Sequence, residues 1–322
     1  FITHHASLVT VEERKEGKTL MPCFASAVSS QNDHGYEAGR YVASNALAAF
    51  QSAPPSLLLT FVSNQYNDPS EVVRGIRSIN NTIPLIGSST SGVLTMAGLL
   101  PKGVVVLALR FDDPHQVNVA FARGFASQPA TVLVQAIDQL HNTTATTPAS
   151  DTPQTMLLLT AGLPSGESLN GALQNRLPRL PATCTPIGAI SGTAGNPGKD
   201  SLFVNDEVIA DGVAVTLLPA QALVGSGGGA GAGTAATLLD AAATAGQPFS
   251  SEQSDPPAAA LMFDSISDET TSVEDATHGI EQVRTSINPI VPLIGMWSAA
   301  VIAPASQKQR SQANTLQVAT LR

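Results

Sequence analysis

Apolar positions along this chain fall into two periods that alternate in a fixed order, and that order occurs three times. Continuous apolar runs come first: Leu57–Val62, then Leu157-Leu158-Leu159-Thr160, then Ala260-Leu261-Met262-Phe263. Runs of this length bounded by turn residues predict strands covered on both faces. Each is followed by a stripe of helical spacing. Val72, Val73, Ile76 and Ile79 share one face in the first case, and Val273, Ala276, Ile280, Val283 and Ile287 in the third. Leu169, Ala172, Leu173, Leu177 and Leu180 do so in the second. These stripes predict helices packed on a sheet. Each stripe leads to a short phrase, Pro84-Leu85-Ile86-Gly87, Pro186-Ile187-Gly188 or Pro292-Leu293-Ile294-Gly295. Pro is tolerated at the first residue of a strand, so the phrase predicts one.

Further elements complete the unit. Strands are expected at Cys23–Ser29, Val117–Phe121 and Ala222–Gly225, each before a helix at Glu37–Phe50, Ala130–His141 or Thr234–Ala245. Closing strands are expected at Val104–Leu109, Val213–Leu218 and Leu316–Leu321. Turn-rich hairpins at Gly98 to Gly103 and at Asn205-Asp206 are expected to serve the first and second units. The three prolines stand 102 and 106 residues apart, too far for a solenoid repeat of roughly 20–50 residues. The fold class expected is therefore α/β: three repeated β-α-β-α-β units with added β-hairpins in mixed, mostly parallel sheets.

Composition narrows the function. The net charge of −9, with 16 Lys and Arg, argues against a nucleic-acid partner, which needs a basic patch. No run approaches the about 18 apolar residues of a membrane span. The two cysteines, Cys23 and Cys184, show neither metal spacing nor a disulfide framework and read as core thiols. A soluble protein of a reducing compartment is expected: the cytoplasm, or an organelle interior such as a plastid after removal of a leader, since the chain starts at Phe1.

Ligands of open α/β sheets bind beyond the carboxyl ends of parallel strands. Those ends carry hydroxyl-bearing, Gly-rich loops, which makes Ser88, Ser89, Thr90, Ser91, Ser191, Thr193 and Ser298 the candidate ligand-binding residues. Catalytic templates are not met. Gly87-Ser88-Ser89-Thr90-Ser91 lacks the second Gly of a nucleophile elbow, and no Walker-type phosphate loop occurs. Gly225-Ser226-Gly227-Gly228-Gly229-Ala230 fits a dinucleotide fingerprint only loosely and continues into further glycines. Only His4 and His5 are close among six histidines, so no metal site is expected. No enzyme is expected either.

Several phrases resemble the FIST family, a sensory and signal-transduction module with N-terminal and C-terminal parts. They are the Leu57–Val62 strand, Arg74-Gly75-Ile76-Arg77, Pro84-Leu85-Ile86-Gly87-Ser88-Ser89-Thr90-Ser91-Gly92, Asp211-Gly212-Val213-Ala214-Val215 and Pro292-Leu293-Ile294-Gly295-Met296-Trp297. The resemblance implies an N-terminal part over residues 1–219, holding two units, and an abbreviated C-terminal part over 220–322 that includes the Gly-rich segment 225–233. It also implies a small-molecule sensor for amino-acid-like ligands, or for nitric oxide through haem in some members. The family's Gly-Glu-Ile after the strand-end loop is replaced here by Gly92-Val93-Leu94 and Ala299-Ala300-Val301. A lost carboxylate removes the natural partner of an amine or cation. The expectation is thus a non-catalytic accessory or scaffold subunit acting through protein partners without a cofactor, with the sensory ligand-binding module as the alternative.

Overall fold

The computed structural model describes residues 6–8, 24–51, 53–111, 117–143, 153–162, 183–191, 200–228, 235–246, 257–265, 272–302 and 315–322. The first unit runs β2 (Phe24–Ser30), α1 (Gly35–Ala48), β3 (Leu57–Ser63), α2 (Pro69–Ile79), β4 (Leu85–Thr90), a hairpin of β5 (Val93–Thr95) and β6 (Gly98–Leu100), and β7 (Val104–Arg110). A short β1 (Ala6–Leu8) precedes it. The second runs β8 (Val119–Arg123), α3 (Pro129–Thr143), β9 (Gln154–Ala161), β10 (Cys184–Ile190), a hairpin of β11 (Leu202–Val204) and β12 (Glu207–Ile209), and β13 (Gly212–Leu218). The third runs β14 (Ala222–Gly228), α4 (Ala235–Gly246), β15 (Ala259–Asp264), α5 (Val273–Ile287), β16 (Leu293–Trp297), β17 (Ala300–Ile302) and β18 (Thr315–Leu321). The stripe expected at Leu169–Leu180, Thr193 and Cys23 lie outside the described residues.

Local chemistry accounts for the helix starts. Asp68 caps α2, its carboxylate accepting from the Ser70 N–H at 2.9 Å, and Pro69 follows at the first helical position. Ser272 caps α5 by accepting from the Asp275 N–H at 3.0 Å. Two glycines bring α1 and α2 into backbone contact: a methyl on Gly39 would strike the Val72 carbonyl, and one on Gly75 the Tyr36 carbonyl.

The sheets are mixed, but the expected parallel majority is not found. Among the described residues only β3/β4, β9/β10 and β15/β16 pair in parallel. The reason is the closing strand of each unit. It inserts between the first two strands, antiparallel to both, giving the orders β2-β7-β3-β4, β8-β13-β9-β10 and β14-β18-β15-β16. The inserted strand takes the hydrogen bonds that a direct crossover pair would have made.

The hairpins also depart from expectation, since neither serves its own unit. β5/β6 leaves the first unit and pairs with β16 of the third. β11/β12 leaves the second and pairs with β4 of the first. β17 leaves the third and pairs with β10 of the second. Each unit thus covers the open edge of another, and the exchange closes a ring. An uncovered edge strand is a template for foreign pairing. The ring supplies that cover from within the chain.

The registers make the units equivalent. Gly87, Gly188 and Gly295 lie opposite Phe203, Ile302 and Leu94 of the donated strands. Ile86, Ile187 and Ile294 therefore correspond, and all three sit fully buried in one central cluster. Leu85 and Leu293 face the outer helix layers instead, so Pro186-Ile187-Gly188 matches the other phrases from its isoleucine onward. Leu57, Leu59 and Phe61 meet Leu157, Leu159 and Ile187 and then Leu261 and Phe263 in that central cluster. Phe61 and Phe263 pack edge to face with centroids 6.2 Å apart. The glycine of each phrase is a packing requirement. A methyl on Gly87, Gly188 or Gly295 would overlap the carbonyl oxygen of Thr60, Leu158 or Met262 on the partner strand. Gly188 also has φ 149°.

Replacing Ile86, Ile187 or Ile294 by Ala is expected to cost about 2–5 kcal/mol in urea denaturation. Gly188→Ala should cost more than any of them, because the backbone oxygen it meets has nowhere to move. A loss below about 0.5 kcal/mol at all three isoleucines would contradict their central placement.

Candidate functional site

The strand ends converge where the ring closes, and their hydroxyls are engaged there. Ser88, Ser89 and Thr90 are fully buried, Ser191 and Ser298 nearly so, and Ser91 is half-buried. The Thr90 hydroxyl donates across the first–third boundary to the Trp297 carbonyl at 2.5 Å. The Ser191 hydroxyl donates across the second–first boundary to the Ser89 carbonyl at 2.5 Å. Thr90, Ser191 and Ser298 are equivalent by register, as are Ser89, Ile190 and Trp297. The third link, from Ser298 to Ile190, is not made. The Ile190 carbonyl accepts from the Ala299 N–H at 3.0 Å, and Ser298 donates to Asp264 of its own unit at 3.2 Å. Ser89 is held further by Ser201, whose N–H donates to the Ser89 hydroxyl at 2.7 Å and whose carbonyl accepts from the Ser89 N–H at 2.7 Å.

Two buried acids at this junction escaped the sequence reading. Asp264 ends β15, and one carboxylate oxygen accepts from the indole N–H of Trp297 at 3.1 Å. Asp200 is 6% exposed, and its Oδ1 has no hydrogen-bond partner among the described residues. Burial pushes its carboxyl up from 3.8 to about 6. Burial likewise pushes the Cys184 thiol up to about 11, partly offset by a backbone hydrogen bond at Met156, so this half-buried cysteine stays protonated.

The donated strands explain the apolar residues that stand where the resembling family has glutamates. By register Val93 corresponds to Leu202 and to Val301, not to Ala300. All three belong to the central cluster. A carboxylate there would be buried without a partner.

A cleft opens elsewhere, between the first and third units, with a volume of 360 Å³. The sheet of the first unit contributes Ala27, Ser29 and Val105. Its exchanged hairpin contributes Thr95, Met96 and Ala97. The third unit contributes Thr277, Ile280, Glu281 and Arg284 of α5. The walls are mixed, with the polar side chains Ser29, Thr95, Thr277, Glu281 and Arg284 beside apolar ones, and the volume lies within the roughly 300–1,000 Å³ of ligand pockets. Thr95 and Thr277 donate to the Gly98 and Val273 carbonyls at 2.9 and 2.8 Å. Arg284 donates through Nη1 to Glu281 at 2.7 Å and through Nη2 to the Pro289 carbonyl at 3.2 Å. Its Nε is buried and has no acceptor among the described residues. No local pattern in the sequence marks this cleft, because Ser29 and Arg284 are 255 residues apart.

Haem, implied by the resemblance, does not fit these residues. The cleft offers the Met96 thioether but no imidazole or thiolate for haem iron. The described histidines His34, His141 and His278 are all exposed on other surfaces. Among the described residues no group of three or more His, Cys, Asp or Glu is placed to hold a metal ion. No helix among them is long and apolar enough to cross a membrane.

Residues 56–233, more than half of the chain, match the FIST N domain family. A search of curated proteins finds no match. Among solved structures, a cyanuric acid hydrolase from A. caulinodans is similar, with 10% identity, a TM-score of 0.43, and coverage of 94% of this chain and 99% of that one. A second cyanuric acid hydrolase has 8% identity, a TM-score of 0.40, and coverage of 93% and 100%. Phosphoribosylformylglycinamidine synthase II from Thermotoga maritima has 10% identity, a TM-score of 0.27, and coverage of 92% and 72%. The expectation that this chain is not an enzyme is corrected on this point: the two most similar of these structures are hydrolases, so absence of catalysis is not retained. TM-scores this low assign no activity in its place.

The Asp200 carboxyl binds its proton more tightly in the folded chain than in the unfolded one. Stability should therefore fall as pH rises from 3.8 to about 6 and be level in this respect above it. Asp200→Asn should flatten that window and raise Tm at neutral pH. Melting curves from pH 3.5 to 7.5 check this, and an unchanged slope in the variant would refute it.

Proposed function

This chain belongs to the FIST family, and we infer from that membership together with the cleft between its first and third units that it works as a small-ligand-binding sensory module. One observation carries the reading. The cleft is walled by two units and by the hairpin that one of them lends to the other. A ligand seated there touches both sides of a ring junction. Its differential contacts then bias how the two units pack, which is the requirement for a binding event to become a signal.

The alternative expectation, a scaffold acting through protein contacts, drew on the missing glutamates. Their positions are filled by the core residues Val93 and Val301, so their apolar character is accounted for by packing. The large apolar side chains most open to solvent, Tyr36, Val208, Val273 and Ile290, stand on separate segments. Neither observation favours a protein partner over a small ligand.

A thermal-shift screen of the full chain against a metabolite panel tests this reading. At least one ligand is expected to raise Tm. Ala97 is exposed on the hairpin turn and lines the cleft. Ala97→Trp should therefore leave the unliganded Tm within about 1 °C and abolish the shift, since surface changes away from packed features usually cost little. A ligand shift of the same size in Ala97→Trp would place the binding site elsewhere.

A further inference from the structure

Resting on the cleft reading, we propose that the four-residue tip of the exchanged hairpin, Thr95–Gly98, is a flap that opens and closes the cleft. The two lent hairpins supply the comparison that carries this. Their tips correspond by register, Thr95 with Val204, Met96 with Asn205 and Ala97 with Asp206. The tip from the second unit is fastened to the first unit by three bonds. The Asn205 N–H donates to the Leu85 carbonyl at 2.9 Å, and the Leu85 N–H donates to Asn205 Oδ1 at 3.0 Å. The Arg77 guanidinium, with its side chain 9% exposed, donates to the Asp206 carboxylate at 3.1 Å. The tip from the first unit lacks the side chains for this. Met96 has a thioether where Asn205 has its amide, and Ala97 has no charge where Asp206 has one. The bond from this hairpin to α5 is the Leu99 N–H donating to the Thr277 hydroxyl at 3.4 Å, at the long and weak end of the range.

Packing sets which part moves. Leu94 and Leu99, behind the tip, are buried in the apolar cluster that holds Ile280 and Val283 of α5, so the strands stay in place. Met96 rests on that cluster only partly buried. The tip holds together as one body, because the Thr95 hydroxyl donates to the Gly98 carbonyl at 2.9 Å and accepts from the Ala97 N–H at 3.2 Å. Gly98, at φ 121°, joins the tip to β6 in a backbone region that favours glycine, and it forms the hinge. All four tip residues line the cleft. The loosely fastened stretch of the hairpin is therefore the stretch that borders the cavity. Its opening widens the mouth, and its closing brings Met96 and Ala97 over a bound molecule.

Two measurements on the full chain test this, and neither needs a ligand. In amide hydrogen exchange, the protection factor of Met96 should lie about 10-fold or more below that of Asn205. In thiol labelling, Ser29→Cys places a reactive group in the cleft, and mass spectrometry reads its peptide apart from those of Cys23 and Cys184. Iodoacetamide is small enough for the cleft as it stands, whereas fluorescein maleimide requires a wider mouth. Thr277→Val removes the hydroxyl that holds Leu99 and keeps the side-chain shape. It should speed fluorescein maleimide several-fold and leave the iodoacetamide rate unchanged. Equal protection of Met96 and Asn205 overturns the flap, as does equal acceleration of both reagents or of neither. Each of those outcomes leaves the cleft reading standing. A metabolite screen without a single Tm shift overturns the cleft reading instead, and the flap then stands or falls on the two measurements above.

Discussion

The exchange of strands between units is the constraint on which the rest of this structure depends. Each strand that carries an Ile-Gly pair, β4, β10 and β16, would stand at an open sheet edge, and each is covered by a strand that another unit has lent. No unit is complete alone, because the strand beside β4 comes from the second unit and the strand beside β10 from the third. The pairing also brings the three sheets face to face, so that Ile86, Ile187 and Ile294 share one core. The glycine after each isoleucine lets the backbones close to this distance. Burial of polar backbone at the strand ends follows, and with it the need for hydroxyls to satisfy carbonyls there.

That need relocates the chemistry. In an open α/β sheet the strand ends are free to meet a ligand. Here the Thr90 and Ser191 hydroxyls are turned to carbonyls of the neighbouring units. A cleft lies instead beside the exchanged hairpin of the first unit. There the turn at Gly98, with φ 121°, leans on Thr277 of α5. The three units are alike in strand order but not in their junctions. The first and second units each lend a two-stranded hairpin, whereas the third lends β17, and the cleft lies at the junction of the first and third units.

Legibility of the chain tracked the range of the interactions. The apolar runs Leu57–Val62 and Ala260–Phe263 and the stripe Val72–Ile79 were readable because strand and helix periods are local. The hydroxyl residues at the strand ends were readable as a recurring group, and Thr90 and Ser191 do meet at neighbouring junctions. What they bond to was not readable. The partner of Thr90 lies at Trp297 and that of Ser191 at Ser89, 207 and 102 residues away.

By itself the sequence determined the mixed α/β class, the buried apolar strands and the helical stripes at Val72–Ile79 and Val273–Ile287, since period and turn chemistry decide these within a few residues. It also carried the family, through phrases such as Pro84–Gly92. Only the tertiary structure decided where the closing strands and hairpins pair. An edge strand offers the same backbone groups to any partner, and the choice among units is made by the shared core that the winning arrangement buries. The cleft follows from that choice, because Ser29 and Arg284 face one space only after the first unit has lent its hairpin to the third.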